Sequence, residues 1–182
     1  MTSAVGTEAS SELIFRRRAK ALAAEPPRGQ PVRPSLDAVA FQLAHETYAV
    51  ESIYVREVLP LRELTPLPSA PAFVLGLANV RGQILSVIDL RVLFDLPRKE
   101  SGAATKLIVL RAADMEVGVL ADAVAGALSV PLDEIRPALP TMTGFRERCL
   151  RGIGGESLVI LAANRLLADE AIVVNQQAEG GD

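Results

Sequence analysis

Mainly β structure, closed or sandwiched and built from one unit used twice, is the fold class this sequence predicts. Three observations predict it. The stretch FVLGLANVRGQILSVIDLRVLF, Phe73–Phe94, holds two apolar runs of strand length, Val74–Val80 and Ile84–Leu90, joined at Arg81-Gly82. Short apolar runs punctuated by Gly, Pro and polar turns fill most of the rest, a pattern that suits β architecture. The second half also echoes the first, with a unit of roughly 70 residues that is too long for a solenoid module and suits duplicated small barrels. The 182 residues fit one domain, or two small subdomains sharing a core, and 49% hydrophobic residues supply a substantial interior.

In chain order, Met1–Ser10 is small and polar and has no reason to order by itself. Ser11 to Ala24, SELIFRRRAKALAA, reads as a helix with Phe15, Ala19 and Leu22 on one face and Arg16, Arg17 and Arg18 elsewhere. Glu25-Pro26-Pro27 ends it, and a Pro-rich linker runs over 25–36. Residues 1–36 thus form an N-terminal arm, either a loosely docked or free helical arm or a docking helix whose basic face meets an acidic partner. Val39–Leu43, a polar turn at 44–47 and Tyr48–Val50 follow as two strands. Ile53 to Leu59 continues as a strand with Ile53, Val55 and Glu57 on one face and Tyr54, Arg56 and Val58 on the other. Pro60, Pro66, Pro68 and Pro71 force an irregular connection into the central hairpin.

In that hairpin both runs carry apolar residues on both faces, as a strand buried on both sides should. Ile84, Ile88 and Leu90 fall on one side, Leu85 and Val87 on the other. Gly82 supplies the positive φ of a tight turn, which puts Arg81 at the tip. Asp89 then stands where its carboxylate can cap a short helix beginning at Leu90. A loop at Pro97–Ala104 separates the halves. Beyond it, Leu107–Leu110, the turn at Ala113-Asp114 and Val117–Val119 mirror the first two strands, and Val124 follows Val117 by the seven residues that part Val55 from Tyr48. Leu150-Arg151-Gly152-Ile153, Leu158–Leu161 and Arg165-Leu166-Leu167 echo the hairpin and its helix. The domain therefore spans 37–182, with halves at 37–98 and 104–170 and a tail at 171–182.

These runs resemble the signature of CheW-like domains, the coupling modules of bacterial chemosensory arrays. The resemblance is carried by FVLGLANVRGQILSVIDLRVLF, extends upstream through FQLAHETYAVESIYVREVLPLRELTPLP, and reaches downstream through VLADAVAGALSVPLDEIRP to LRGIGGESLVILAANRLL. It implies two five-stranded barrels of Src-homology-3 type around one shared core, with short helices. It also implies a non-catalytic adaptor, cytoplasmic and recruited to the inner face of the membrane through receptor arrays. The implied partners are the cytoplasmic tip of chemoreceptors and the regulatory domain of a CheA-type histidine kinase. Where the family often has Asn-Leu-Arg-Gly the chain has Asn79-Val80-Arg81-Gly82. Where the family often has an acidic residue before its last helix the chain has Ala162-Ala163, so that helix, near 164–168, should be poorly capped unless Asn164 substitutes.

Composition, read apart from the resemblance, favours a protein partner over a polyanion. A net charge of −3 gives no general pull towards nucleic acid, and 4% aromatic residues without Trp leave little for base stacking. No apolar run approaches the ~20 residues of a membrane span. One cysteine, Cys149, excludes an intramolecular disulfide, and the N-terminus carries no apolar signal core. The single histidine, His45, sits in a polar turn far from any Cys or carboxylate cluster with metal-ligand spacing. Cys149, near the start of an apolar strand, reads as a small hydrophobe. Gly144, Gly152, Gly154 and Gly155 read as turn and strand glycines, not as a phosphate loop. No catalytic residue, metal or cofactor is expected.

Surface recognition is left, and Arg81 leads it. A guanidinium on a short turn rooted in buried strands loses little entropy on binding and suits bidentate carboxylate recognition. By the resemblance, Arg81 matches an arginine implicated in receptor coupling, Glu57 and Val55 match neighbouring contact positions, and Gly76 matches a glycine at which side chains disturb coupling. Val80, in the same motif, completes the receptor-binding candidates. Read without the family, these are a solvated turn arginine, a strand-edge glutamate, core valines and a packing glycine. No comparably sharp motif marks a kinase-facing surface. A scaffold of a different chemosensory pathway, serving surface sensing, pili or development, would use the same fold. A small-barrel enzyme or ligand binder would need a dry, polar-lined pocket around His45 or Cys149.

Overall fold

A computed structural model describes residues 33–97, 106–138, 142–155 and 157–177. The chain parts into two units, 1–33 and 34–182, and all the described strands and helices belong to the second. The expected helix at 11–24 and nearly all of the loop at 97–104 lie outside the described residues.

The first half runs β1 (Ser35–Leu43), β2 (Glu46–Glu51), a 3-10 turn (Ser52–Tyr54), β3 (Val55–Pro60), β4 (Val74–Val80), β5 (Gln83–Ile88) and α1 (Leu90–Leu93). The second runs β6 (Lys106–Ala112), β7 (Met115–Ala121), β8 (Ala123–Pro131), a 3-10 turn (Leu132–Glu134), β9 (Ile135–Arg136), α2 (Gly144–Arg148), β10 (Leu150–Gly154), β11 (Leu158–Leu161), α3 (Ala163–Ala168) and α4 (Glu170–Gln177). The mainly β class holds: there are two sheets, in the orders β8-β1-β2-β11-β10-β9 and β3-β6-β7-β5-β4.

The sheets do not coincide with the sequence halves at 37–98 and 104–170. Each half gives its first hairpin to the other half's sheet: β1 and β2 join β8 to β11, while β6 and β7 join β3 to β5. Parallel contacts seal the exchange, β2 with β11 and β5 with β7. The repeat is legible down to single residues. Gly76 and Gly152 hold matching bulge positions in β4 and β10, and each lies against a backbone carbonyl, of Thr65 and of Arg136. One sheet gains a sixth strand because the two-residue β9 pairs with β10, where the other half has only an isolated bridge between Thr65 and Leu77.

Three apolar clusters follow from this interleaving. Ala78, Val80, Leu85, Val87, Leu107 and Val109 fill the five-stranded sheet, and Leu36, Ala38, Ala49, Val130 and Ile160 fill the six-stranded one. The largest cluster takes residues from both sheets and from α1 and α3, which makes it the shared core. At its centre Phe41, Tyr48, Phe94 and Phe145 form a ladder with centroids 5.6–6.0 Å apart. The exchange of hairpins gives each barrel a wall made by the other half, so neither half has a complete interior alone.

Several expectations need correction. The linker ends before Ser35, which already belongs to β1. Ile53 is not in a strand: it sits on the 3-10 turn, 83% exposed, because the chain must cross there from one sheet to the other. The strand after the hairpin turn stops at Ile88, since Asp89 caps α1 and Leu90 opens it. Only Leu85, Val87 and Ile88 of that strand are buried, while Ile84 is 59% exposed near the sheet's end. Gly144 opens the unexpected helix α2, and part of the 171–182 tail is α4. The start of α3 has no side-chain cap, so Asn164 does not substitute for the missing acid.

Asp89 is more than a cap. Its Oδ1 accepts from the backbone N–H of Arg91 at 2.9 Å, and the two carboxylate oxygens accept from Arg91 Nε and Nη2 at 2.8 and 2.9 Å. Arg91 Nη1 also reaches Asp122 Oδ1 at 2.7 Å, and Asp122 Oδ2 accepts from the Ala44 N–H at 2.7 Å. This buried network bolts α1 to the β7–β8 junction and to the β1–β2 turn. It holds the two halves in their exchanged arrangement.

Candidate functional site

The β4–β5 turn has two residues, Arg81 at φ 55° and Gly82 at φ 85°, between the paired Val80 and Gln83. Two successive left-handed residues match the right-handed twist of the flanking strands. The sequence assigned that backbone to Gly82 alone; Arg81 adopts it too. Asn79 Oδ1 accepts from the Gly82 N–H at 2.8 Å and braces the turn. The Arg81 side chain is 78% exposed, as the tip position predicts, but it is not merely solvated. Its Nε donates to Glu57 Oε2 at 2.9 Å.

That contact crosses the seam of the barrel. Glu57 lies on β3 and Arg81 follows β4, and these strands are the two edges of the five-stranded sheet. An ion pair between opposite edges exists because the sheet curls on itself, with Leu59, Leu61 and Leu64 packing on Ala78 and Val80 beneath it. Two residues chosen separately from the sequence thus form one unit at the surface.

The other candidates lie underneath. Val80 is almost wholly buried in the small core of this sheet, and Val55 is half-buried against the shared core. Gly76 has φ +145°, and a Cβ there would stand 2.2 Å from the Thr65 carbonyl oxygen. Leu77 and Thr65 exchange both backbone hydrogen bonds at 2.8 Å next to it, so Gly76 is what lets residues 61–66 close over the barrel. Of the five candidates, Arg81 and Glu57 present polar groups at the surface, while Val55, Val80 and Gly76 shape what carries them.

Three residues here had no signal in the sequence. Val55 pairs with Leu110 and Glu57 with Val109, which leaves Arg56 as the extra residue of a β-bulge. Arg56 Nη1 donates to Glu116 Oε2 at 2.6 Å and to Gln83 Oε1 at 2.7 Å, and its Nε lies 3.8 Å from Glu57 Oε1. Arg56, Gln83 and Glu116 border an open groove of about 600 Å³ that Leu77, Leu85 and Ser86 also line. Strand periodicity finds none of this, because β5 and β7 meet β3 only through the fold.

A second cleft of about 520 Å³ contains His45, on the exposed β1–β2 turn, together with Arg136, Met142 and Arg146. The Arg146 guanidinium pairs with Glu46 and lies over the rings of Tyr48 and Phe94, at 5.6 and 5.9 Å from their centroids. Tyr48 also donates its hydroxyl to Glu46 at 2.7 Å, and burial pushes its ionisation far above the ordinary phenol range. Cys149 is fully buried at the end of α2 and does not line this cleft. Burial first, with Asp169 adding to it, pushes its thiol up to about 12, the opposite of what a nucleophile needs. Among the described residues no group of three His, Cys, Asp or Glu side chains is placed to hold a metal ion.

Residues 37–171 match the CheW-like domain family. The chain is 32% identical over 137 residues to the chemotaxis protein CheW of Klebsiella aerogenes, a match that covers 74% of this chain and 82% of that one. It is 27% identical over 141 residues to CheW of Treponema pallidum, covering 74% and 83%. The crystal structure of the scaffolding protein TtCheW from Thermoanaerobacter tengcongensis superposes with a TM-score of 0.67 at 26% identity, covering 76% of this chain and 96% of that one.

Proposed function

We propose that this chain, which belongs to the CheW-like domain family, couples the cytoplasmic tips of chemoreceptors to a CheA-type histidine kinase. Its CheW relatives and its scaffolding structural neighbour support a chemotaxis adaptor role, and that family is a non-catalytic one. The finer reading rests on one observation: Arg81 stands exposed on a braced two-residue turn, paired with Glu57 across the barrel seam.

The physics suits a contact made without chemistry. Arg81 is exposed but pre-oriented through Nε, which leaves the outer guanidinium nitrogens facing solvent for a carboxylate on a receptor helix. The turn is anchored on a buried barrel wall, so little chain entropy is lost when a partner docks. The kinase's regulatory domain would take a different face, and signal would pass as a shift in which kinase arrangement the assembly favours. Receptors would bring the adaptor to the inner face of the membrane. No helix among the described residues is long and apolar enough to cross one.

The test compares Arg81→Glu with the charge swap Arg81→Glu/Glu57→Arg in capture by a receptor-tip fragment. Arg81→Glu should weaken capture about tenfold or more, the scale of an arginine hot spot, with an unchanged circular dichroism spectrum. The swap should restore the seam ion pair and its stability without restoring capture. Full capture by a folded Arg81→Glu variant contradicts the contact role. Loss of folding in the single variant, rescued by the swap, would make the pair structural.

A further inference from the structure

The ion pair at the hairpin tip is one end of a longer row of alternating charges. Arg81 Nε holds Glu57 Oε2 at 2.9 Å, and Arg56 Nε lies 3.8 Å from the other Glu57 oxygen. Arg56 Nη1 is held in turn by Glu116 Oε2 at 2.6 Å and Gln83 Oε1 at 2.7 Å, and Arg111 Nε lies 3.6 Å from Glu116 Oε1. The two carboxylates are the sheltered members, with side chains 17% and 11% exposed, and the guanidiniums face outward. The row starts at the β4–β5 turn and passes through β3, β5, β7 and β6.

Glu57 is its junction. One carboxylate stands between two guanidiniums, so whatever strengthens one contact weakens the other. At present the division is unequal: Arg81 makes a hydrogen bond, whereas Arg56 stands beyond hydrogen-bond distance. The reason is visible on the far side of Arg56, where Glu116 and Gln83 draw its outer nitrogen away. With the Glu116 charge removed, Arg56 would lose its nearer carboxylate and turn further towards Glu57.

We propose that Glu116 and Arg56 are positioning residues for Arg81: Glu116 holds Arg56 off Glu57, which leaves Glu57 to Arg81 and sets how readily an acidic partner can take that guanidinium. Only the consequence for a partner rests on the receptor-contact reading; the row of contacts itself does not.

The experiment follows solvent exchange of the Arg81 Nε–H in the full-length, nitrogen-labelled protein by nuclear magnetic resonance. Glu116→Gln should speed exchange by about two- to fivefold, the scale of releasing a mostly exposed ion pair. Asp114→Asn removes the same charge from the same groove, outside the row, and should leave exchange unchanged. Arg56→Gln removes the competitor and should slow exchange or leave it as it is. In a Glu57→Gln background Glu116→Gln should have no effect. An unchanged rate in Glu116→Gln overturns the proposal, as does an equal effect from Asp114→Asn or an effect that persists without the Glu57 carboxylate. A receptor-tip fragment should bind the Glu116→Gln variant more weakly by a similar factor, because Arg81 loses the pre-orientation that Glu57 gives it. Altered exchange with unaltered binding would unseat the receptor-contact reading and leave the positioning role standing.

Discussion

Replacing Gly76 by alanine should destabilise this protein far more than replacing other glycines in turns and strands. Two separate effects add at this position. The backbone sits at φ +145°, where an L side chain is strained by about 1–3 kcal/mol. The new Cβ would also stand 2.2 Å from the Thr65 carbonyl oxygen and 2.8 Å from its carbon, and backbone atoms cannot swing aside as a side chain end can. Pushing residues 61–66 outward carries an overpacking cost of about 1–3 kcal/mol and strains the two Thr65–Leu77 hydrogen bonds. Together these come to roughly 4 kcal/mol, or about 8–16 °C in Tm for a chain of this size. Two other glycines calibrate that figure. Gly152 meets the Arg136 carbonyl at 2.5 Å without a left-handed φ, so Gly152→Ala should cost about 2 kcal/mol from overpacking alone. Gly82 has φ +85° in open space, so Gly82→Ala should cost about 1 kcal/mol from conformation alone. Urea unfolding followed by circular dichroism gives all three. A Gly76→Ala variant no less stable than Gly82→Ala would refute the reasoning, because the close approach to Thr65 would then carry no weight. Any effect of a side chain at Gly76 on partner binding would act through the Thr65–Leu77 closure, not through a contact of its own.

The buried groups give two further expected outcomes. Asp89→Ala leaves the buried Arg91 with Asp122 as its remaining carboxylate and should cost about 3–5 kcal/mol in urea unfolding, whereas Asp89→Ala/Arg91→Leu should recover only part of that, since it removes a buried guanidinium short of a partner but leaves Asp122 with the Ala44 N–H alone. Cys149 should resist a disulfide-exchange reagent at pH 8 in the folded state and react in urea. Its folded pKa of about 12 lies above the ordinary 9.0, so its contribution to stability is complete below pH 9 and is lost as pH rises towards 12; Cys149→Ala should flatten that alkaline decline in a pH series of unfolding curves.

The strands of the central hairpin are legible in the sequence because their signals are local. Val74–Val80 forms a strand over the whole of its apolar run, the turn falls at Arg81-Gly82, and Asp89 caps α1. The internal repeat is equally legible, since β1 and β2 match β6 and β7 turn for turn, even to the left-handed Ala44 and Ala113. What the repeat could not show is which sheet each hairpin joins. Antiparallel neighbours are read from short turns, but the parallel contacts β2–β11 and β5–β7 depend on which half packs against which. The same limit hid the ionic row. In the sequence Arg81 and Glu57 stand 24 residues apart, and only closure of the sheet puts 2.9 Å between them. Strand alternation places Arg56 on a face of its strand but cannot join it to Gln83 and Glu116, because a bulge in β3 and two other strands bring them together. Ile53 failed in the opposite sense: a β-branched residue in an alternating run reads as strand, yet here the chain turns to change sheets.

The adaptor role is tested most directly by calorimetric titration of this protein with the regulatory domain of the CheA-type kinase from its own organism. Saturable binding that survives the Arg81→Glu/Glu57→Arg swap is expected, because the proposed receptor contact at Arg81 and the proposed kinase contact use different faces. Folded protein that shows no heat of binding at high concentration would contradict that role and would detach this CheW-like fold from kinase coupling.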